Sequence, residues 1–268
     1  MRFDQSIVDF HKQQIAERFG QAASTYKLHA KPQYEAAQHL LNLIGSYYGL
    51  IPSGDILEIG CGTGFITQGL LQHFENRSLE ITDISSEMLN FCQHNVIISD
   101  DQIHKVSFSQ FDAEMTEINT KKYASIVSGF VIQWFKNPYS SILGIVKQLH
   151  SNGILFLSFP SNKSFPEWQK ICRQLDLPFT ANSLPDTELL LSQLADQVRL
   201  LHVETVETVT HHQNAADFFR GLKAIGANVS QQRLSVGQMK RLIRGWDAQA
   251  LGQIDIHYHV NYLALQNL

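Results

Sequence analysis

A short turn rich in glycine is the clearest candidate for a functional site in this sequence. Gly60, Gly62 and Gly64 follow a short apolar run and precede a segment with helical spacing, within ILEIGCGTGFITQGLL at residues 56–71. Glycine permits a sharp turn and lets a ligand approach bare backbone, and the first turn of a helix offers free N–H groups to that ligand. The pattern therefore predicts a ligand-binding turn between a strand and a helix. An ordinary strand-to-helix turn that contains glycines is the alternative.

An acidic residue beside this turn indicates which kind of ligand it suits. Dinucleotide-binding turns have the form G-x-G-x-x-G and place a pyrophosphate at the helix N-terminus, whereas this turn has the form G-x-G-x-G. Glu58, two residues before the first glycine, would repel a pyrophosphate and attract a cationic group. S-adenosylmethionine carries an ammonium and a sulfonium and no phosphate, so the turn favours this cofactor. The segment resembles motif I of the class I methyltransferases, and its predicted cofactor contacts are Glu58, Gly60, Cys61, Gly62 and Gly64. The side chain of Cys61 is interpreted as a small packing group rather than a nucleophile.

Two further strand-like segments also end in carboxylates. LEITD ends at Asp83, nineteen residues after Gly64, and a carboxylate at the tip of the second strand can accept hydrogen bonds from both ribose hydroxyls of a nucleoside. The alternative for Asp83 is to cap the following helix. In QFDAE, Asp112 and Ala113 occupy the place where methyltransferases recognise the adenine amino group. The remaining predicted cofactor contacts are Ile84, Met88, Ser128 and Phe130.

The segment YASIVSGFVIQW, residues 123–134, resembles motif IV of the same enzymes. The end of this strand would lie beside the sulfonium of the cofactor. Gln133 and Trp134 would then face the acceptor, and a buried core position is the alternative for Trp134.

These residues must be positioned by the elements between them. From residue 56 to 159, short apolar runs alternate with helical segments, which is typical of a parallel sheet with helices on both faces. Residues 198–210 and 254–265 are longer and partly alternating, and they predict an antiparallel hairpin at one edge of the sheet. Helical lid insertions are expected at about 160–187 and 211–253. The predicted domains are an N-terminal helical cap over 1–50, with helices at 6–19 and 32–45, and a nucleotide-binding domain over 51–268.

Composition excludes several other classes of protein. The chain has 268 residues and a formal net charge of −4, which argues against a general nucleic-acid binder. The charged N-terminus is unlike a signal peptide, and no run approaches the ~20 apolar residues of a membrane span. Three widely spaced cysteines fit neither a disulfide framework nor a zinc site, and the twelve histidines show no metal-binding spacing. We therefore expect a cytoplasmic protein without a metal.

Segments outside the cofactor motifs resemble one family within this class. The chain is similar over nearly its whole length to the malonyl-acyl-carrier-protein O-methyltransferases, the BioC family of biotin synthesis. The matching segments are HKQQIAERFGQAASTYKLHAKPQ, VIQWFKN, SFPEWQKICRQL, PFTANSLPDTELL, FFRGLKAIGAN and YHVNYLAL. The first segment and FFRGLKAIGAN give the resemblance its specificity, because the cofactor motifs are shared by many families. Thr63 departs from a frequent proline, and the segment at Ser164 lacks a glycine.

The resemblance implies a class I methyltransferase fold and methyl transfer from S-adenosylmethionine to the free carboxylate of malonyl-acyl carrier protein. The methyl ester would prime the pimeloyl chain of biotin. A carboxylate is already ionised near pH 7, so no general base is expected, and the site would align the reactants and exclude water. Tyr26, in the opening loop, and Gln133 are expected to position the acceptor, with His29 as a further candidate contact. A packed tyrosine is the alternative for Tyr26.

An acyl carrier protein is acidic, so its docking face should be basic. Between Phe219 and Gly245 the chain has six Lys or Arg residues and no Asp or Glu. The predicted contacts with the acyl carrier protein are Arg220, Lys223, Lys240, Arg241 and Arg244. An ordinary solvated helical face is the alternative. Three other functions remain open: methylation of a quinone precursor, phenol or other carboxylic acid; cofactor binding without catalysis; and NAD-dependent oxidation.

Overall fold

The computed structural model of the chain describes residues 10–118, 121–230, 232–250 and 252–268. The strands are β1 Ile56–Ile59, β2 Leu79–Asp83, β3 Val106–Gln110, β4 Tyr123–Gly129, β5 Leu149–Pro160, β6 Val198–His212 and β7 Ile254–Asn267. The described residues form one sheet with the strand order β3-β2-β1-β4-β5-β7-β6. β1 to β5 are parallel to one another, and β7 lies antiparallel between β5 and β6. The predicted α/β fold, with a mostly parallel sheet and an antiparallel pair at one edge, is confirmed.

Helices connect the strands and cover both faces of the sheet. They are α1 Phe10–His29, α2 Lys31–Tyr47, α3 Thr67–His73, α4 Ser86–Asn95, α5 Pro138–Val146, α6 Pro166–Gln174, α7 Thr187–Leu194, α8 Ala215–Ala224 and α9 Val236–Gln249. Polar caps begin several of them: the Ser85 side chain accepts from the Met88 N–H at α4, and Asn137 accepts from the Ser140 N–H at α5. In the described ranges, no helix is long and apolar enough to cross a membrane.

Two hydrophobic layers hold the sheet between the helices. On one face, Leu40 and Ile44 of α2 belong to the same buried cluster as Phe156 of β5. On the other face, Ile142 of α5 belongs to a cluster with Leu155 of β5. Neighbouring β5 residues thus point to opposite faces, as alternation along a strand requires. The segments after β5 and β6 both leave the carboxyl edge of the sheet, and they contain α6 with α7 and α8 with α9. The domain boundary at residue 50 stays a prediction.

The spacing of apolar residues over 138–149 predicts a single helix, and the structure differs. The helix α5 ends at Val146, and Leu149 already pairs with Tyr123 as the first residue of β5. Asn152 has a positive φ of 61°, which interrupts the early part of this strand. The apolar run could not reveal this break, because short apolar runs do not distinguish a helix from a buried strand.

The N-terminal segment also differs from its prediction. Tyr26 was expected in a loop, but α1 continues to His29 and includes it. The chain contains no proline before Pro32, so nothing forces α1 to end earlier. The first helix was predicted from residue 6, and residues 6–9 lie outside the described residues.

Candidate functional site

The glycine turn lies at the carboxyl edge of the sheet and is held there by the end of β2. The Gly60 and Cys61 N–H groups donate to the Thr82 carbonyl oxygen at 2.8 and 2.9 Å. The Gly62 N–H donates to Asp83 Oδ2 at 2.9 Å. Asp83 therefore holds the turn, and its carboxylate lies directly beside the backbone of Gly62.

Asp83 is buried, and its surroundings change its pKa. Its second oxygen, Oδ1, accepts from the Ser85 N–H at 2.9 Å. Burial raises the pKa of Asp83 to about 6, although the backbone hydrogen bonds oppose this rise. The side-chain cap of α4 is Ser85 rather than Asp83. Each carboxylate oxygen has two lone pairs, so Asp83 can still accept two hydrogen bonds from a ligand.

A cavity of about 110 Å³ lies between this turn and α1, and we call it the cofactor cavity. Its lining includes eight of the predicted cofactor contacts: Gly60, Gly62, Asp83, Ile84, Met88, Asp112, Ala113 and Phe130. The other four lie elsewhere. Glu58 and Ser128 are buried inside β1 and β4, Cys61 lines a neighbouring small cavity, and Gly64 packs against α4 near Cys92.

Lys12 of α1 closes one side of the cofactor cavity, a contact that the sequence did not predict. Its Nζ lies 2.6 Å from Asp112 Oδ2 and 2.9 Å from Glu114 Oε2. Burial alone would lower the pKa of Lys12, but the hydrogen bonds to both carboxylates outweigh it and raise that pKa. Asp112 therefore forms an ion pair with Lys12, whereas the sequence predicts that Asp112 binds the adenine amino group. A contact between Asp112 and adenine stays a prediction.

Polar atoms that lack a hydrogen-bond partner among the described residues show whether the surroundings of the glycine turn fit S-adenosylmethionine. The small cavity of about 40 Å³ is lined by Gln33, Thr63 and Ser158. In the described part of the chain, Gln33 Oε1, Thr63 Oγ1 and Ser158 Oγ are buried without a hydrogen-bond partner. A Cβ added at Gly62 would meet nothing within 4 Å. Open space over bare backbone and unsatisfied hydrogen-bonding groups suit the ammonium and carboxylate of that cofactor, so the residues fit it.

Glu58 lies beneath the turn and lines neither of these cavities. It is 1% exposed, and neither carboxylate oxygen has a hydrogen-bond partner among the described residues. Burial raises the pKa of Glu58 well above its usual range. Burial therefore opposes the charged form of Glu58, and a contact between this carboxylate and the cofactor stays a prediction.

Glu58→Gln is expected to stabilise the protein increasingly as the pH rises. The raised pKa means that native Glu58 gives up stability as the pH rises from its unfolded value near 4.5 towards its folded value. That loss has a limiting slope of about 1.4 kcal/mol per pH unit, and glutamine cannot ionise. Thermal unfolding of both proteins across this range measures the difference. Glu87→Gln is the control, because hydrogen bonds lower the pKa of Glu87. A pH-independent difference for Glu58→Gln would contradict the assignment.

A larger cavity of about 480 Å³ opens beside the cofactor cavity, and we call it the acceptor cavity. Tyr26, Phe130 and Trp134 line both, and Trp134 packs edge-on against Phe19 with ring centroids 5.2 Å apart. Burial, followed by the charge of Asp83, raises the pKa of Tyr26. Tyr26 therefore remains a phenol that can donate a hydrogen bond where the two cavities meet.

The structure does not bring all predicted acceptor contacts to this cavity. Gln133 lines it, but its Nε2 donates to the Phe130 carbonyl oxygen at 2.7 Å, and Oε1 has no partner in the described chain. Gln133 Oε1 is thus a hydrogen-bond acceptor, and it suits an N–H group of the substrate better than a carboxylate. Lys223 lines the cavity, whereas His29 is exposed at the end of α1 outside the lining. The other predicted partner residues, Arg220, Lys240, Arg241 and Arg244, are exposed on α8 and α9 outside the lining.

Comparison with known proteins identifies the family. The Methyltransferase domain model matches residues 57–157. The malonyl-[acyl-carrier protein] O-methyltransferase of Priestia megaterium is 30% identical over 237 residues, which is 83% of this chain and 84% of that protein. The biotin biosynthesis bifunctional protein BioCD of Bordetella avium is 28% identical over 88% of this chain, and the chain spans 49% of that relative, about half its length.

Solved structures agree with the fold. YcgJ of Bacillus subtilis superposes with a TM-score of 0.59 at 13% identity, over 86% of this chain and 98% of that one. Magnesium protoporphyrin IX methyltransferase of Synechocystis, solved with bound SAH, has a TM-score of 0.57 at 12% identity, over 99% and 100% of the two chains. The predicted family, fold and cofactor are confirmed. The chain belongs to the malonyl-[acyl-carrier protein] O-methyltransferase family and is an S-adenosylmethionine-dependent O-methyltransferase.

Proposed function

We propose that this protein methylates the free carboxylate of malonyl-acyl carrier protein, giving the methyl ester that primes pimeloyl synthesis for biotin. The opposite charge of its two cavities is the observation that supports this acceptor. The described lining of the cofactor cavity has three carboxylates, Asp83, Asp112 and Glu114, and one cation, Lys12. Arg18, Lys223 and Arg233 line the acceptor cavity, and its described lining includes no Asp or Glu. The cofactor side thus favours a cation and the acceptor side favours an anion.

The reaction needs little chemistry from the protein. S-adenosylmethionine supplies a methyl group on a sulfonium, and a malonyl carboxylate is ionised near pH 7. The residues at the junction then have to align the two groups and exclude water. The Tyr26 hydroxyl would donate a hydrogen bond to one oxygen of the malonyl carboxylate. Phe19 and Trp134 would form the cavity wall around that carboxylate. This arrangement needs no general base.

The other contacts follow from the same geometry. Asp83 would accept from the ribose hydroxyls, since its oxygens face the cofactor cavity while held by Gly62 and Ser85. The proposed cofactor contacts are Gly60, Gly62, Asp83, Ile84, Met88, Asp112, Ala113 and Phe130. Gln133 would accept from an amide N–H of the thioester arm. The exposed cations of α8 and α9 would attract the acidic carrier protein, which raises the association rate and depends on salt.

Mass spectrometry of malonyl-acyl carrier protein, incubated with this protein and S-adenosylmethionine, tests the proposal. We expect the malonyl form to gain one methyl group, and the acetyl form, which lacks the carboxylate, to gain none. A malonyl form that stays unmodified, while cofactor binding is intact, would contradict the acceptor. The search would then turn to small-molecule phenols and carboxylic acids.

A further inference from the structure

Three cations from different parts of the chain line the acceptor cavity. Arg18 belongs to α1, Lys223 to α8, and Arg233 to the segment before α9. All three are exposed, whereas lining residues such as Phe165 and Trp168 are buried. The cations therefore form the rim of the cavity, and the aromatic residues form its interior.

We propose that Arg18, Lys223 and Arg233 form a phosphate-binding site, called the rim site, that holds the phosphodiester of an acyl carrier's pantetheine arm. This inference rests on the proposed function, because it assumes a carrier-bound acceptor. It assigns the cavity opening to the arm rather than to the folded carrier protein. The folded carrier protein itself would dock on the other exposed cations of α8 and α9, which are Arg220, Lys240, Arg241 and Arg244.

Packing between α1 and the turn after α8 brings the backbone of Arg18 close to Gly226, three residues after Lys223. Gly226 follows α8 with a φ of 76°, and a Cβ there would lie 2.8 Å from the Arg18 carbonyl oxygen and 2.9 Å from Phe19 Cα. Thr25 Oγ1 also donates to the Ala224 carbonyl oxygen at 3.0 Å. Because only glycine tolerates both this φ and this close approach, the backbone fixes two sides of the rim.

Hydrogen bonds to the 180–182 segment hold the third side of the rim. Ser230 Oγ donates to the Thr180 carbonyl oxygen at 2.5 Å. Asn182 Nδ2 donates to the Val229 carbonyl oxygen at 2.7 Å. These contacts anchor the chain just before Arg233. The rim is thus built from segments that are bound to one another, rather than from a solvated stretch of helix.

The rim cations differ from other cations near the site in having no acidic partner. Lys12 is paired with Asp112 and Glu114, and Arg220 lies 3.2 Å from Asp217. Within the described ranges, no Asp or Glu forms an ion pair with any of the three rim cations. Three uncompensated positive charges around one opening favour an anion with several acceptor oxygens, and Arg binds phosphate oxygens in a bidentate manner.

The interior of the cavity suits the rest of such an arm. Phe165, Trp168 and Tyr258 form buried walls below the rim. The volume of about 480 Å³ is within the range of roughly 300–1,000 Å³ that organic ligands occupy. Tyr26 and Phe130 line both this cavity and the cofactor cavity. A phosphate at the rim would therefore leave the thioester end of the arm directed towards the methyl donor.

Binding of 4′-phosphopantetheine and of pantetheine, measured by calorimetry in the presence of S-adenosylhomocysteine, isolates the contribution of the phosphate. We expect the wild-type protein to bind 4′-phosphopantetheine at least about tenfold more tightly, because charge-assisted hydrogen bonds are among the strongest. The double variant Arg18→Ala/Arg233→Ala should lose this preference and bind pantetheine as the wild type does. Arg199→Ala, at the exposed start of β6, should keep the full preference.

Carrier protein with and without its arm separates the rim site from the docking face. The rim variant should lose the gain in affinity of the holo form over the apo form, whereas Lys240→Glu/Arg241→Glu should weaken binding of both forms equally. Equal binding of the two small ligands to wild type, or a preference that survives in the rim variant, would overturn the inference. Failure to methylate malonyl-acyl carrier protein would contradict the proposed function while leaving a measured phosphate preference intact.

Discussion

Asp83→Ala is expected to weaken binding of S-adenosylmethionine by about 100-fold or more. The carboxylate would lose two hydrogen bonds from the ribose, and hydrogen bonds to charged groups contribute about 1.5–3 kcal/mol each. It would also lose its bond from the Gly62 N–H, which holds the glycine turn. Calorimetric titration with the cofactor measures the loss. Asp255→Ala removes a carboxylate that pairs with His211 outside the cofactor cavity, and it should leave the affinity unchanged.

The raised pKa of Asp83, about 6, adds a pH dependence to this result. Only the ionised carboxylate can accept from both hydroxyls, so cofactor binding favours the ionised form. Affinity should therefore fall as the pH drops below about 6, by at most about tenfold per pH unit. Asp83→Asn should bind weakly and lack this dependence. Wild-type affinity in Asp83→Ala, or the same pH profile in Asp83→Asn, would refute the ribose assignment.

Gly60→Ala is expected to destabilise the protein by about 2–4 kcal/mol, since it adds backbone strain to a steric clash. Gly60 has a φ of 73°, and a Cβ there would lie 2.2 Å from Val131 Cγ2. Gly62 has a φ of 53°, but its added Cβ would meet nothing within 4 Å. Chemical denaturation should show a much smaller loss, of about 1 kcal/mol, for Gly62→Ala.

The two glycine variants should rank in one order for stability and in the opposite order for cofactor affinity. Gly62 lines both the cofactor cavity and the small cavity, so its added methyl group would occupy ligand space. We expect Gly62→Ala to weaken cofactor affinity at least about tenfold while the fold is retained. If Gly62→Ala binds the cofactor as wild type does, the open space above this glycine is not the ligand site.

The cofactor half of the site was predictable because its signals are local. The glycine turn and Asp83 each end a short apolar run, and parallel strands bring their carboxyl ends to one edge of the sheet. β1 and β2 are neighbours in the sheet, so the glycine turn and Asp83 lie next to each other as expected. Helix caps such as Ser85 are local for the same reason.

The contribution of α1 was not predictable from the same signals. Helical spacing predicts a helix over residues 6–19, but it does not show which strand ends that helix covers. Lys12 meets Asp112 across a hundred residues of sequence, and Arg18 meets the turn at Gly226. Such contacts depend on the packing of whole elements. His29 is exposed at the end of α1 and is outside the cavity lining, so its contact with the acceptor stays a prediction.

One helix, α1, contributes to the walls of both cavities. Lys12 and Tyr26 line the cofactor cavity, and Arg18 and Tyr26 line the acceptor cavity. Any movement of α1 would therefore change both sites at once, so the binding of the cofactor and the binding of the acyl arm would be thermodynamically linked.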